Sequence, residues 1–117
     1  MPTVTLETSI AAASTTANIY DGIRAAKIPN IAGATFQVTY LSAGQTAGQL
    51  SEEVFVGAAN PVELSAVSGT NRTPQSPEEI VTTFPVNPGE EITCRVSNIN
   101  VAAQVHFSKL VVTRTDV

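Results

Sequence analysis

The sequence predicts an all-β protein, an antiparallel β-sandwich built as a single jelly roll of about eight strands. Apolar and polar residues alternate with a period of two along most of the chain, which is the spacing of strands with one buried face. The alternating segments are short and are separated by Gly, Pro and Asn turns. A chain of 117 residues suits one such unit, so residues 1–117 are expected to form a single domain.

Three strands are predicted in the first part of the chain. Residues 3–7 and 16–20 each place two apolar side chains on one face, between polar neighbours. The clearest strand covers residues 34–42, where three apolar residues alternate with Thr and Gln after a turn rich in Pro, Asn and Gly. Residues 23–27 have room for one helical turn only.

Further strands are predicted in the second part of the chain, at residues 53–56, 62–67, 80–86, 92–99 and 104–114. Asn87-Pro88-Gly89-Glu90 has the composition of a type II turn, because Pro presets the first dihedral angle and Gly supplies a positive φ. This turn is expected to join the strands on either side of it as a hairpin.

The last predicted strand changes its apolar parity. Val105 and Phe107 are expected to be buried, yet Leu110 and Val112 have the opposite parity. Either both faces of this strand are covered, or a β-bulge near Ser108-Lys109 changes the face to which the later side chains point. The predicted sandwich core consists of Phe36, Val38, Tyr40, Leu64, Phe84, Ile92, Cys94, Val96 and Phe107.

Two loops are candidates for contacts with neighbouring molecules. Residues 44–49 are rich in Gly, and residues 68–79 hold two prolines and no apolar residue. An ordinary solvated crossover is the favoured interpretation of the longer loop, and an adaptable contact loop is the alternative.

Charge is scarce in this chain. Charged residues make up 14% of it, against roughly 25% in an ordinary soluble domain, and the net charge is −4. The six Lys and Arg residues are scattered, and the chain has no Trp, two Tyr and four Phe. Nucleic-acid binding needs a basic face, usually with stacking aromatics on single strands, so direct nucleic-acid recognition is not expected.

The sequence also bears on the compartment. A single cysteine excludes an internal disulfide, so the fold must depend on packing. The first residues have neither the basic region nor the apolar region of a signal peptide, and no apolar stretch reaches the length of a membrane span. We therefore expect no classical secretion and no membrane span.

The residues with reactive side chains are interpreted as structural. His106, the only histidine, lies on a predicted strand, on the face opposite Val105 and Phe107, and Cys94 shares its face with apolar neighbours. No catalytic, cofactor-binding or metal-binding residue is predicted, and no cofactor is expected.

Three acidic doublets are interpreted as solvated charge at or next to loops: Glu52-Glu53, Glu78-Glu79 and Glu90-Glu91. Adjacent strand residues point to opposite faces, so a doublet does not bring two carboxylates together. Calcium binding through Asp21 and one doublet is the open alternative. Asn71-Arg72-Thr73 has the N-glycosylation pattern, but without a secretory signal it is expected to carry no sugar.

One family resemblance is carried by the second half. Residues 88–98, PGEEITCRVSN, and 104–113, QVHFSKLVVT, resemble the closing strands of carbohydrate-binding jelly rolls. The resemblance implies sugar held on aromatic platforms and often a calcium-stabilised fold. Here Trp is absent, and Tyr20 and Tyr40 are the only tyrosines.

The composition favours a non-enzymatic structural subunit of a virus or phage particle, as capsid, minor capsid or decoration protein. Few charges and polar Thr, Ser and Gln faces suit many weak contacts with copies of itself or other subunits. On this hypothesis the protein is made in the host cytoplasm and located in the virion. The N-terminal strand and residues 113–117 are expected to clip onto adjacent subunits. A carbohydrate-binding or adhesin-type module is the alternative.

Overall fold

A computed structural model describes residues 3–75 and 78–116. Met1, Pro2, Ser76, Pro77 and Val117, which belong to the predicted N-terminal arm, the long loop and the tail, lie outside the described residues. The described residues form a 3-10 helix, Arg24–Ala26, and eight strands: β1 Thr3–Ile10, β2 Thr15–Thr16, β3 Phe36–Gly44, β4 Leu50–Val56, β5 Ala59–Ala66, β6 Ile80–Val86, β7 Ile92–Asn98 and β8 Gln104–Arg114.

The strands form two antiparallel sheets of four. Sheet I has the order β1-β8-β3-β6, and sheet II has the order β2-β7-β4-β5. The first four strands thus pair with the last four in reverse sequence order, and successive pairs fall in alternate sheets. This is the topology of a jelly roll with two Greek keys, and it confirms the predicted fold class.

The alternating pattern of the sequence builds the core between the sheets. β4 and β7 bury every second residue, because one face of each strand is turned toward sheet I. Seven of the nine predicted core residues are buried: Phe36, Val38, Tyr40, Phe84, Ile92, Cys94 and Val96.

Leu64 and Phe107 are corrections to the predicted core. Leu64 is 65% exposed, because it lies on the edge strand β5, where Val62 is the only buried residue. Phe107 is half-buried on the outer face of β8, and Val105 shares that face.

β8 keeps one parity from end to end. It pairs with β1 and β3 without a break in register, and its inward side chains are Gln104, His106, Ser108, Leu110 and Val112. The predicted β-bulge near Ser108-Lys109 is therefore wrong. Of the two alternatives, the structure agrees with partial cover of both faces, since the inner residues are buried and the outer ones are half-buried. Polar side chains occupy the inner face of its first half: His106 contacts Glu52 of β4, and Ser108 accepts a hydrogen bond from the Tyr20 hydroxyl.

The predicted hairpin is wrong, although its turn is confirmed. The backbone N–H of Glu90 donates to the carbonyl of Asn87 at 3.2 Å, and Gly89 has a φ of +81°. β6 pairs with β3 in sheet I, whereas β7 pairs with β4 in sheet II. The turn therefore connects the two sheets, because the residues of a turn set the bend of the chain but not the partners of the strands that follow.

The predicted strand at residues 16–20 is mostly a turn, and only Thr15–Thr16 pair, with β7. Oδ1 of Asn18 accepts hydrogen bonds from the backbone N–H groups of Tyr20 and Cys94, which gives the backbone an alternative to a sheet ladder. The helical turn expected at residues 23–27 is present as the 3-10 helix.

Both chain ends form hydrogen bonds within the sandwich itself. β1 pairs with β8 from Thr3 to Ile10. In the tail, the N–H of Thr115 donates to the carbonyl of Thr35 at 2.8 Å, and Asp116 binds Arg114. The backbone partners of these segments among the described residues are therefore intramolecular, and their contact with adjacent subunits stays a prediction.

Candidate functional site

A buried polar network occupies the centre of the core, around Glu52 of β4. Its Oε1 accepts a hydrogen bond from the Tyr40 hydroxyl at 2.7 Å and lies 2.9 Å from Nε2 of His106. Its Oε2 accepts from the Ser42 hydroxyl at 2.7 Å. Glu52 belongs to sheet II and its three partners belong to sheet I, so the network ties the two sheets together.

Strand periodicity places these groups together. Tyr40 and Ser42 are two residues apart on β3, and His106 lies on the neighbouring strand β8. Glu52 is in the same inward register as Leu50 and Val54. A buried carboxyl without partners would be costly, and three partners from the opposite sheet satisfy it.

Two more contacts extend the network. The Tyr20 hydroxyl donates to Oγ of Ser108 at 2.9 Å, and the Tyr40 hydroxyl lies 3.5 Å from Sγ of Cys94. Burial raises the pKa of Tyr20 and of Tyr40 well above that of an exposed phenol, and it raises the pKa of the Cys94 thiol to about 12. All three groups therefore stay protonated at neutral pH.

The hydrogen bonds of this network join the two sheets, but they do not form a nucleophilic relay. The Ser42 hydroxyl binds the carboxyl of Glu52 and not the imidazole, and Nδ1 of His106 has no hydrogen-bond partner among the described residues. Ser42 and Glu52 lie on the floor of a cleft of about 220 Å³ between β5 and β6, but Glu52 itself is only 1% exposed. The network therefore has almost no surface on which to meet a substrate.

The structure places His106 and Cys94 where the sequence predicts them. Both are fully buried, and His106 lies on the face opposite Val105 and Phe107. The partner of His106 was not predicted, since Glu52 is far away in sequence. The available indication was the period-two spacing of Leu50, Glu52 and Val54.

The acidic doublets are not uniformly solvated. Glu52 is buried, whereas Glu53 points outward and binds Arg95 at 2.9 Å, so the predicted divergence of adjacent residues is confirmed there. Glu79 is also buried and forms an ion pair with Arg72, while Glu78 is exposed. The interpretation of these two inward carboxyls as solvated charge is wrong, because each has partners that compensate its burial.

The third doublet lies at the turn before β7. Oε1 of Glu90 accepts the N–H of Asn87 at 2.6 Å and so stabilises its own turn, and Glu91 is exposed. Within residues 3–75 and 78–116, no three His, Cys, Asp or Glu side chains lie together as a metal-binding group. Asp21 is exposed and belongs to no such group in that part of the chain, and calcium binding there stays a prediction.

A second feature is the end of the sandwich at which β1, β3, β5 and β7 finish. Three whole connections, residues 11–14, 45–49 and 99–103, meet there with residues 67–71, which begin the connection from β5 to β6, and these four segments contain no charged residue. We call this surface the uncharged end. Arg72, Glu78 and Glu79 follow in the same connection from β5 to β6, next to this surface. Other charged residues lie at the opposite end of the sandwich: Asp21, Lys27, Glu90, Glu91 and Arg114.

Backbone hydrogen bonds join the loops of the uncharged end. The N–H of Ala13 donates to the carbonyl of Asn100 at 3.0 Å, and the N–H of Ile99 donates to the carbonyl of Gln49 at 3.0 Å. A Cβ on Gly69 would lie 2.3 Å from the backbone nitrogen of Ala47, so these two loops are in close backbone contact. The loops therefore form one ordered surface.

Branched aliphatic side chains are exposed on this surface. Val101 is 94% exposed and Ile99 is 74% exposed. Ile99 and Leu64 line a shallow depression of about 190 Å³ at the margin of sheet II. No helix in the described ranges has the length and apolar character needed to cross a membrane.

Comparison with known proteins adds one structural likeness. No protein-family model and no curated protein matches the sequence. Among solved structures, a chain described under "Bacillus endospore appendages form a novel family of disulfide-linked pili" is similar to this one, with a TM-score of 0.43 and 18% identity over 97% of this chain and 89% of that chain. At this TM-score and identity the likeness carries no argument about function.

Proposed function

We propose that the protein is a non-enzymatic structural subunit of a virus or phage particle, a capsid, minor capsid or decoration protein that acts through symmetric contacts. The observation that carries the proposal is the location of the exposed apolar surface. Large exposed aliphatic side chains lie on the two edge strands that flank the open side of the sandwich and at the uncharged end: Leu64, Ile80, Val81, Ile99 and Val101. Ile31, in the connection before β3, is the one other such side chain among the described residues.

The interior supports the same proposal. The histidine, the cysteine, both tyrosines and Glu52 are enclosed between the sheets, where they stabilise one arrangement of the sandwich. A rigid subunit loses little conformational entropy when it assembles, so weak contacts repeated by symmetry suffice. The partners would be copies of this chain or other structural subunits of the same particle, and the location would be the virion.

The fold itself does not choose between assembly and sugar binding, because viral coat proteins and lectins share the jelly roll. The aromatic side chains favour assembly. Tyr20 and Tyr40 lie in the core, so neither offers a ring for a sugar to stack on. Phe55 is half-buried and its ring is covered by the Arg95 guanidinium, 5.4 Å from the ring centroid.

The native mass of the untagged protein tests the proposal. Light scattering across a range of concentrations should show species heavier than the 12.2 kDa chain, and electron microscopy of those species should show regular particles or arrays. A monomer at every concentration would contradict self-assembly. A rise in melting temperature with an oligosaccharide would then support the carbohydrate-binding alternative.

A further inference from the structure

We infer that Asp21 and Gly22 form a modification site, at which the folded chain converts spontaneously from aspartate to isoaspartate. The inference is independent of the proposed function, because the reaction involves one peptide bond and needs no partner. Three observations carry it: the sequence of these two residues, the exposure of the turn that contains them, and a backbone N–H of Gly22 that donates to no acceptor among the described residues.

The reaction uses atoms of these two residues and water. The backbone nitrogen of Gly22 attacks Cγ of the protonated Asp21 carboxyl, a C–N bond forms, and the carboxyl hydroxyl leaves as water with the proton of the N–H. Water then adds to one of the two carbonyl carbons of the resulting succinimide and breaks its bond to nitrogen. Opening at the side-chain carbonyl restores aspartate, whereas opening at the main-chain carbonyl leaves the chain linked through Cγ as isoaspartate.

The pair Asp21-Gly22 is the one place in the sequence where a side chain does not hinder this attack. Glycine has no Cβ, so its nitrogen can approach the preceding carboxyl closely. The other aspartate, Asp116, precedes Val117, and every asparagine precedes Ile, Val, Arg or Pro. Branched and long side chains hinder the nitrogen, and proline has no N–H. The reaction should therefore concentrate at a single site.

The structure places this pair on an exposed turn. Residues 19–22 form the turn between β2 and the 3-10 helix, and both Asp21 and Gly22 are exposed. Gly22 has a φ of +77°, and a Cβ placed on it would have no atom within 4 Å. The reacting atoms therefore have both water and room for the Asp21 side chain to rotate.

Hydrogen bonds hold the neighbours of the reacting nitrogen but not the nitrogen itself. The N–H of Asp21 donates to the carbonyl of Asn18 at 3.3 Å, and the N–H of Ile23 donates to the carbonyl of Tyr20 at 2.9 Å. The N–H of Gly22, which lies between them in sequence, has no such bond within the described residues. The nitrogen therefore breaks no hydrogen bond when it attacks the carboxyl.

Prolonged incubation of the folded protein at mildly acidic pH, where the protonated carboxyl loses water, tests the inference. Isoaspartate is counted by methyl transfer from labelled S-adenosylmethionine with a protein L-isoaspartyl methyltransferase, and its position is found by mass spectrometry of peptides. Asp21→Glu is the matched variant, because it keeps the charge at an exposed position and would need a larger, slowly formed ring. Asp116 is the control within the same chain, and incubation in urea reports on the unfolded chain.

We expect isoaspartate to accumulate at residue 21 of the folded wild type, with a transient form lighter by one water, and the label to be lost in Asp21→Glu. Equal isoaspartate at Asp116 would overturn the inference, because the glycine and the open turn would then have no effect. Isoaspartate that forms in urea but not in the folded protein would also overturn it, since the folded turn would then prevent the attack.

Discussion

Nε2 of His106 lies 2.9 Å from Oε1 of Glu52, and this contact joins sheet I to sheet II at the centre of the core. With Glu52 ionised, Nε2 is the ring nitrogen that carries the proton in the contact, because a carboxylate oxygen only accepts hydrogen bonds. The pair is enclosed by Tyr40, Ser42 and Cys94, and it is almost completely shielded from water. The network therefore stabilises one packing of the two sheets.

Replacing Glu52 should destabilise the fold more than replacing its neighbour. Glu52→Ala leaves three buried polar groups of sheet I without their acceptor, and we expect it to lower the free energy of unfolding by about 3–5 kcal/mol. Glu53→Ala is the matched control, because Glu53 faces outward and its pair with Arg95 is a surface ion pair worth less than about 1 kcal/mol. Urea unfolding measures both values, and equal losses would contradict the structural role of the network.

Alkaline pH should destabilise the protein through Cys94. Burial raises the pKa of this thiol from 9.0 to about 12, so the folded state favours the protonated form. The stabilisation is complete below pH 9 and is lost as pH rises from about 9 toward 12, with a slope of at most about 1.4 kcal/mol per pH unit.

Cys94→Ala separates this effect from the general cost of losing the side chain. A smaller side chain lowers stability at every pH, but it removes the part of the pH dependence that belongs to the thiol. Urea unfolding at several pH values between 8 and 10 should therefore show a shallower decline for the variant, because the tyrosines titrate at higher pH. Parallel curves for both proteins would show that Cys94 does not titrate in this way.

Gly69 should be intolerant of any side chain. Its Cβ would lie 2.3 Å from the backbone nitrogen of Ala47, so Gly69→Ala forces the loops at residues 45–49 and 67–71 apart. We expect a loss of about 1–3 kcal/mol in the free energy of unfolding, typical of an overpacked site. Thr70→Ala, at the adjacent exposed position, is the control and should stay within about 0.5 kcal/mol of the wild type. A Gly69→Ala protein as stable as this control would contradict the close approach of the loops.

Removal of residues 1–8 should impair folding of the monomer as well as assembly. β1 supplies the outer strand of sheet I, and the deletion removes Val4 of the core and Leu6, which packs against the core. Loss of this strand would expose the edge of β8 and the apolar side chains beneath it. Circular dichroism and thermal unfolding of the truncated chain test this. A stable monomer that fails only to assemble would contradict it and would support the interpretation of β1 as an arm for a neighbour.

The predicted elements agree with the structure where local chemistry is decisive. The alternation in residues 34–42 and 92–99 depends on neighbours two positions away, and both segments are strands with the expected faces buried. The turn at residues 87–90 depends on the dihedral preferences of Pro and Gly, and it is present.

The errors have a common physical origin. The hairpin prediction is wrong because β6 pairs with β3 in sheet I, whereas β7 pairs with β4 in sheet II. The interpretations of Glu52 and of the inner face of β8 are wrong because burial was expected of apolar residues alone. In the folded chain, a polar side chain is buried at low cost when donors or acceptors from other strands meet it.

The sequence by itself determined a two-layer β-sandwich of short strands, most of its core and most of its turns, since these follow from periodicity and from residue conformational preferences. Only the tertiary structure decided which sheet each strand joins, that Glu52 and His106 meet, and that four distant loops form one uncharged end. These features require contacts between residues far apart in the sequence, and such contacts depend on the three-dimensional path of the chain.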